Sequence, residues 1–176
     1  DLDFAPDYII KDGDEISGDG WCFETIHTPG HIANHLCFGL KEENCLFSGD
    51  HVMGWSTTVV APPEGDMFDY MRSCERLLDR HEEIFWPTHG PPIISPHEYL
   101  QALVDHRLNR ENEITEALIN GVMRISEIVA KLYQHTPTHL HEAAAKTILS
   151  HIVHMIQTGR VMCEGIPTLE SKFIVS

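Results

Sequence analysis

The sequence predicts an α+β chain, with short strands gathered in its first half and helices in its second. Three observations predict it. β-forming runs before residue 50 are separated by Gly, Pro, Asn and Asp clusters. An amphipathic run over 68–81 breaks that pattern with helical spacing. From residue 95 helical periodicity dominates until Gly159, after which β-formers return.

Residues 1–20 read as an edge strand and turns, with Asp12-Gly13-Asp14 and Ser17-Gly18-Asp19-Gly20 around Glu15-Ile16. Strands follow at 21–27, 35–40 and 44–48, with Lys41-Glu42-Glu43-Asn44 as a polar hairpin loop, making one antiparallel sheet. A long loop covers 54–66. Trp55, Thr57 and Thr58 are candidates for lining a substrate mouth, with plain loop packing as the alternative. In the helix over 68–81, Met67, Met71, Cys74, Leu77 and Leu78 share one face and read as core. Ile84-Phe85-Trp86 is a strand. Ser95 and Glu98 form a capping-box pattern around Pro96, starting a helix that runs to about Asn120, with room for a break, and ends at Gly121. On it, His106, Arg107, Arg110 and Glu111 read as a salt-bridged solvated or interdomain face in preference to a substrate-facing patch. Ser126 is expected to cap a short helix ending at Tyr133. A helix over 139–158 follows, with Ala143, Ile148, Leu149, Ile152 and Ile156 as its stripe and Gly159 as its C-cap. Residues 160–163 and 173–175 then read as a β-wing. Helix, helix and hairpin together resemble a winged helix. The division expected is 1–109 and 110–176.

At 176 residues and 42% hydrophobic content, the chain suits one domain, or one domain and an appendage. It shows no apolar run long enough to span a bilayer and no signal-peptide pattern at its start. Its five cysteines are scattered, odd in number and free of C-x-x-C, which points to a reducing cytoplasm, with most of them buried as small hydrophobes. The net charge of −15 is uneven: residues 1–109 carry 6 basic and 20 acidic side chains, residues 110–176 carry 6 and 7. Acidity of that kind repels a polyanion and argues against a nucleic-acid substrate. The 139–158 helix carries Lys146 as its one Lys or Arg, so the module is expected to pack on the catalytic domain or a partner subunit in preference to reading DNA.

Three stretches carry chemistry: Thr28-Pro29-Gly30-His31, Ser48-Gly49-Asp50 and Pro87-Thr88-His89-Gly90. Each places one metal-ligand side chain after a strand, where a sheet holds it rigidly. Two His and one Asp suit a divalent metal such as zinc. His27 and His35 flank His31 four residues away on either side, in supporting or structural roles. His51 points to the face opposite Asp50.

The trio T-P-G-H, S-G-D and P-x-H-G, in this order and spacing, resembles the metallo-β-lactamase fold superfamily. Its nearest likeness is to glyoxalase-II-like and lactamase-like hydrolases with a C-terminal winged helix, one branch of which includes endoribonucleases. The likeness runs from Pro6 to the end and includes Asp12-Gly13-Asp14 and the His-Arg-x-x-Arg-Glu of residues 106–111. It implies the C-terminal half of an αββα sandwich followed by a winged-helix-like module. It also implies that His31 binds one metal, His89 a second, and Asp50 bridges both as the catalytic carboxylate. Two zinc ions are expected, with iron or manganese also suited. The reaction implied is hydrolysis of an ester, thioester, lactam or phosphodiester in a small-molecule substrate. The alternatives are an endoribonuclease-like enzyme or winged-helix nucleic-acid binder, and a non-catalytic interaction domain. The family's H-x-H-x-D-H motif is absent, and His139-Leu140-His141 matches only its spacing. These residues are therefore expected to be the C-terminal piece of a longer enzyme, inactive or weakly active without an N-terminal half that supplies four more ligands. Half a sandwich exposes an apolar sheet face, so the chain is expected to bind that half, form a homo-oligomer or aggregate.

Overall fold

The computed structural model describes residues 5–176; the first residues of the expected edge strand and turns, 1–4, lie outside the described residues. Among the described residues, β1 (Glu15–Gly18), β2 (Trp21–His27), β3 (Leu36–Leu40), β4 (Cys45–Gly49) and β5 (Ile84–Pro87) form one sheet in sequence order. The first four pair antiparallel, as the hairpin turns require. β5 joins β4 in parallel, because α1 (Met67–Leu78) crosses over between them. The purely antiparallel sheet of the sequence reading thus gains one parallel edge. A consequence follows for the site: β2, β4 and β5 point the same way, and their C-terminal ends open on one sheet edge.

Pairing sets which residues share a face. Ile26 opposite Cys37, and Leu46 opposite Phe85, put four buried side chains on one side of the sheet. α1 covers them with Met67, Tyr70, Met71, Cys74 and Leu77, and α2 (Pro96–Ile119) with Leu100, Leu103 and Val104. Each such side chain contributes about 1.5–3 kcal/mol by leaving water. Leu78 only packs at the margin of this core, while Tyr70 is a full member. Asp66 caps α1 by accepting the Asp69 amide at 3.0 Å. The opposite face carries Ile16, Phe23, Phe38, Phe47 and Trp86. Phe23 meets Phe47 edge-on at 5.7 Å, and Phe47 and Trp86 are 40% and 44% exposed. This is the uncovered apolar face that half a sandwich would show, as seen among the described residues.

α2 is one unbroken helix of 24 residues. Ser95 makes no side-chain capping bond, contrary to the capping-box expectation; its ψ of 70° is not the extended cap geometry, and Pro96 starts the helix through its preset φ. α3 (Ile125–Leu132) is capped at Arg124, not Ser126. The Glu127 carboxylate accepts the Arg124 amide at 3.1 Å and so draws the boundary two residues earlier. A 3₁₀ turn, Thr138–Leu140, leads into α4 (His141–Gln157). Ile148, Leu149 and Ile152 are buried as expected, joined by Ala144 and Met155. Ala143 is exposed and Ile156 half-buried. Ala144, Ile148 and Ile152 repeat every four residues, whereas Ala143 falls five before Ile148 and turns away. α2 and α4 end in Schellman patterns at Gly121 and Gly159. β6 (Val161–Cys163) and β7 (Phe173–Val175) pair as the wing hairpin.

Two buried cores divide along α2. Its residues up to Val104 pack on the sheet; from Ile114 onward they pack with α3, α4 and the wing. Among the described residues no helix is long and apolar enough to cross a membrane.

Candidate metal centre

The shared strand direction brings His31, Asp50 and His89 to the same sheet edge. Gly30 makes the approach to α1 possible. Its φ is +135°, and a Cβ there would lie 2.3 Å from the Tyr70 Cα, so no larger residue fits. The His31 Nδ1–H donates to the Val59 carbonyl at 2.7 Å. That bond leaves the Nε2 lone pair free, 4.0 Å from Asp50 Oδ2. His89 Nε2 stands 3.5 Å from the other oxygen, Oδ1. Oδ1 is shielded from solvent and has no hydrogen-bond partner among the described residues. A buried carboxylate oxygen without a donor is costly unless something positive meets it. The two imidazoles address different oxygens, and no three donor side chains gather round a single point among the described residues.

A hydrogen-bonded chain holds Asp50 in place. Its amide donates to His35 Nε2 at 3.2 Å, so His35 Nδ1 carries the proton and donates to Thr28 Oγ1 at 2.8 Å. The Thr28 hydroxyl reaches Cys37 Sγ at 3.2 Å, and the thiol reaches the Ser48 carbonyl. Burial lowers the pKa of His35, helped by the nearby His31, and raises the Cys37 thiol to about 12, so the chain stays neutral. His35 thus has the supporting role expected of it. His27 hydrogen-bonds the Ala33 carbonyl through Nε2. His51 lies fully buried against Tyr70, where burial pushes its imidazole down to about 3.

The loop after Asp50 divides its candidates. Trp55 is 70% exposed, and its ring lies parallel to that of His89, 6.2 Å away and 9° off coplanar. That position is beside the His89 imidazole, on the solvent side. Thr57 is half-buried. Thr58 is not at the mouth: it is 2% exposed, and its hydroxyl donates to the Asp50 carbonyl at 2.6 Å. A carbonyl at a strand end needs such a donor once the ladder stops.

Arg107 was not singled out for this site. It is buried, donates Nη2–H to the Thr58 carbonyl at 2.5 Å, and lies over the Tyr70 ring at 5.2 Å. Glu111 is buried too. Its Oε1 meets His154 Nδ1 at 2.6 Å and His151 Nδ1 at 3.4 Å, and its Oε2 accepts from Arg160 at 2.5 Å. Burial alone would raise this carboxyl, yet the bonds from His151, His154 and Arg160 overcome it and take the pKa down to about 2. The solvated face expected here holds only for the exposed His106 and the half-buried Arg110. Glu111 is instead buried between α2, α4 and the residue that leads into β6. Spacing carried a signal: Leu100, Leu103, Arg107, Glu111, Ile114 and Leu118 step by three or four along one buried stripe. His139, in the 3₁₀ turn, and His141, the first residue of α4, lie away from His31, Asp50 and His89 in sequence, with His141 bonded to the Thr136 carbonyl.

Residues 1–89 match the model of the metallo-beta-lactamase superfamily, and residues 125–166 that of the beta-lactamase associated winged helix domain. The chain is 34% identical over 155 residues to the beta-lactamase-like protein 2 homolog of Caenorhabditis elegans, covering 88% of this chain and 51% of that protein. It is 29% identical over 152 residues to an atrochrysone carboxyl ACP thioesterase of Aspergillus chevalieri, covering 82% and 48%. A beta-lactamase domain protein from Burkholderia ambifaria superposes with a TM-score of 0.84 at 18% identity, covering 99% of this chain and 54% of that one. The chain spans about half the length of the curated relatives it matches.

Proposed function

The chain belongs to the metallo-beta-lactamase superfamily, and from that premise we propose that it carries one side of a two-metal hydrolytic centre. The observation that carries the proposal is the Asp50 carboxylate, with His31 beside one oxygen and His89 beside the other. A pair of cations needs an anion between them, and a carboxylate flanked in this way would suit that role. Members of the superfamily bind metal ions. Here His31 and Asp50 would hold one ion, Asp50 and His89 the other, with zinc as the first choice and iron or manganese also compatible with these donors. When bound, the metal supplies Lewis acidity and a water acidified toward neutrality. The protein's own part is positional. Val59 fixes the His31 tautomer, His35 and Thr58 fix the Asp50 backbone, and Trp55 shields His89 at the mouth.

The remaining ligands would come from a polypeptide segment packed over the aromatic face of Phe23, Phe38 and Phe47, and without it the chain would turn over slowly or not at all. Among ester, thioester, lactam and phosphodiester, the thioesterase relatives favour an acyl thioester of a small molecule as the first substrate class to screen. The test compares thioester hydrolysis by the metal-loaded protein, in the presence of the segment that would supply the remaining ligands, with that of its Asp50→Ala variant under the same conditions. Loss of about 10²-fold or more in kcat supports the role; unchanged hydrolysis defeats it.

The winged-helix match supports a second reading, nucleic-acid binding. Against it, Lys146 on α4 is paired with Glu142 at 3.0 Å, and the net charge is −15. Binding to single-stranded RNA whose affinity falls steeply with salt would favour this reading over the first.

A further inference from the structure

We infer that α2 is a strut through which the C-terminal module sets the geometry of the metal-binding loop, with Arg107 and Glu111 as its two positioning residues. The inference rests on the reading of His31, Asp50 and His89 as ligands.

The loop over residues 54–66 contains no helix or strand, so side chains and single backbone bonds must hold it. Three of these bonds meet at the site. Thr58 donates to the Asp50 carbonyl, the Val59 carbonyl accepts from His31, and Arg107 donates to the Thr58 carbonyl between them. Arg107 therefore grips the peptide that precedes the carbonyl orienting His31. Its guanidinium also lies on the Tyr70 ring, and the Tyr70 hydroxyl donates to the carbonyl of His51, the residue after Asp50. One cation braces both sides of the ligand. It is 3% exposed, and among the described residues no carboxylate pairs with it. A buried charge of this kind is an expensive way to fill space.

Glu111 is one turn further along the same face. Its carboxylate is held by His151 and His154 of α4 and by Arg160 at the foot of the wing. His154 also rests on Phe68 of α1, with ring centroids 5.9 Å apart. The module therefore fixes the rotation of α2 at Glu111, and a rigid helix carries that rotation to Arg107. Lysine cannot replace Arg107, because a point charge reproduces neither the planar stacking nor the directed Nη2–H bond.

The test uses the full chain, Arg107→Lys, Glu111→Gln, and the control Ile148→Val. Ile148 is fully buried in the module core, and its apolar side chain makes none of the hydrogen bonds at either end of the strut. The first readout is the tautomer of His31 in metal-free protein, from its imidazole nitrogen shifts at about pH 8, above the ordinary imidazole range. The second is affinity for Co2+ alone. Arg107→Lys and Glu111→Gln are expected to move His31 off the pure Nδ1–H tautomer. They are also expected to weaken Co2+ binding about 10-fold or more, the scale for groups standing behind a ligand. Ile148→Val is expected to change neither, even where its melting temperature falls as far. Wild-type shifts and Co2+ affinity in both strut variants, or an equal change in Ile148→Val, would overturn the inference. A wild-type chain silent to Co2+, whose His31 tautomer still responds to both variants, would defeat the metal reading and support the strut.

Discussion

Glu111→Gln tests the buried network energetically. In the folded chain the Glu111 carboxyl sits at about 2, against an ordinary 4.5. A difference of that size is worth about 3 kcal/mol at neutral pH. The Arg160 side chain is 40% exposed, so solvent screens part of the gain. About 2 kcal/mol is the working figure, or about 4–8 °C in melting temperature for a chain of this length. The folded pKa lies below the unfolded one, so the stabilisation is complete above about pH 4.5. It disappears as pH falls toward about 2, where the unfolded chain takes up its proton first. The assay is urea unfolding of both proteins at a series of pH values between these limits and neutrality. The gap between wild type and Glu111→Gln should be about 2 kcal/mol at neutral pH and should close as pH falls. A gap that does not vary with pH, or one under about 0.5 kcal/mol at neutrality, would show that the Glu111 charge does not stabilise the fold.

Three further outcomes follow from the same contacts. Gly30→Ala drives a Cβ into the Tyr70 backbone at 2.3 Å and at a φ of +135°, so the variant should unfold at least about 3 kcal/mol more easily or fail to accumulate, as denaturant titration would read. Among the described residues the Ser150 hydroxyl is buried without a partner, so Ser150→Ala should be neutral or stabilising by up to about 1 kcal/mol in the same titration. Burial raises the Cys37 and Cys74 thiols to about 12, so a thiol reagent at neutral pH should label the half-buried Cys22 and Cys163 first and leave those two until the chain unfolds.

The convergence of His31, Asp50 and His89 was legible because each residue follows a strand and is flanked by Gly or Pro, and the alternation at 21–27 identified β2 to the residue. The elements beyond the sheet were legible in kind and less so at their ends. Ser95 and Ser126 have capping chemistry, but a cap also needs the right backbone angles, and those are set by how the chain enters the helix. The parallel docking of β5 depends on where α1 packs, a long-range matter that a short apolar run does not encode. Thr58 and Arg107 were misread for one reason. A polar residue in a loop or on a helix reads as solvated by default, and only tertiary neighbours reveal that Asp50 and Thr58 present buried carbonyls in need of donors. The winged-helix outline survived these slips, because a helix, a second helix and a hairpin are each defined by patterns several residues long.

The proposed role of Asp50 between two metal ions held by His31 and His89 can be weighed directly. Native mass spectrometry of the protein together with the segment proposed to supply the remaining ligands, beside Asp50→Asn, distinguishes the outcomes. About two divalent ions per wild-type assembly are expected, with loss of at least one in the variant. A wild-type protein that carries no metal, or an Asp50→Asn protein that keeps the full complement, would contradict it.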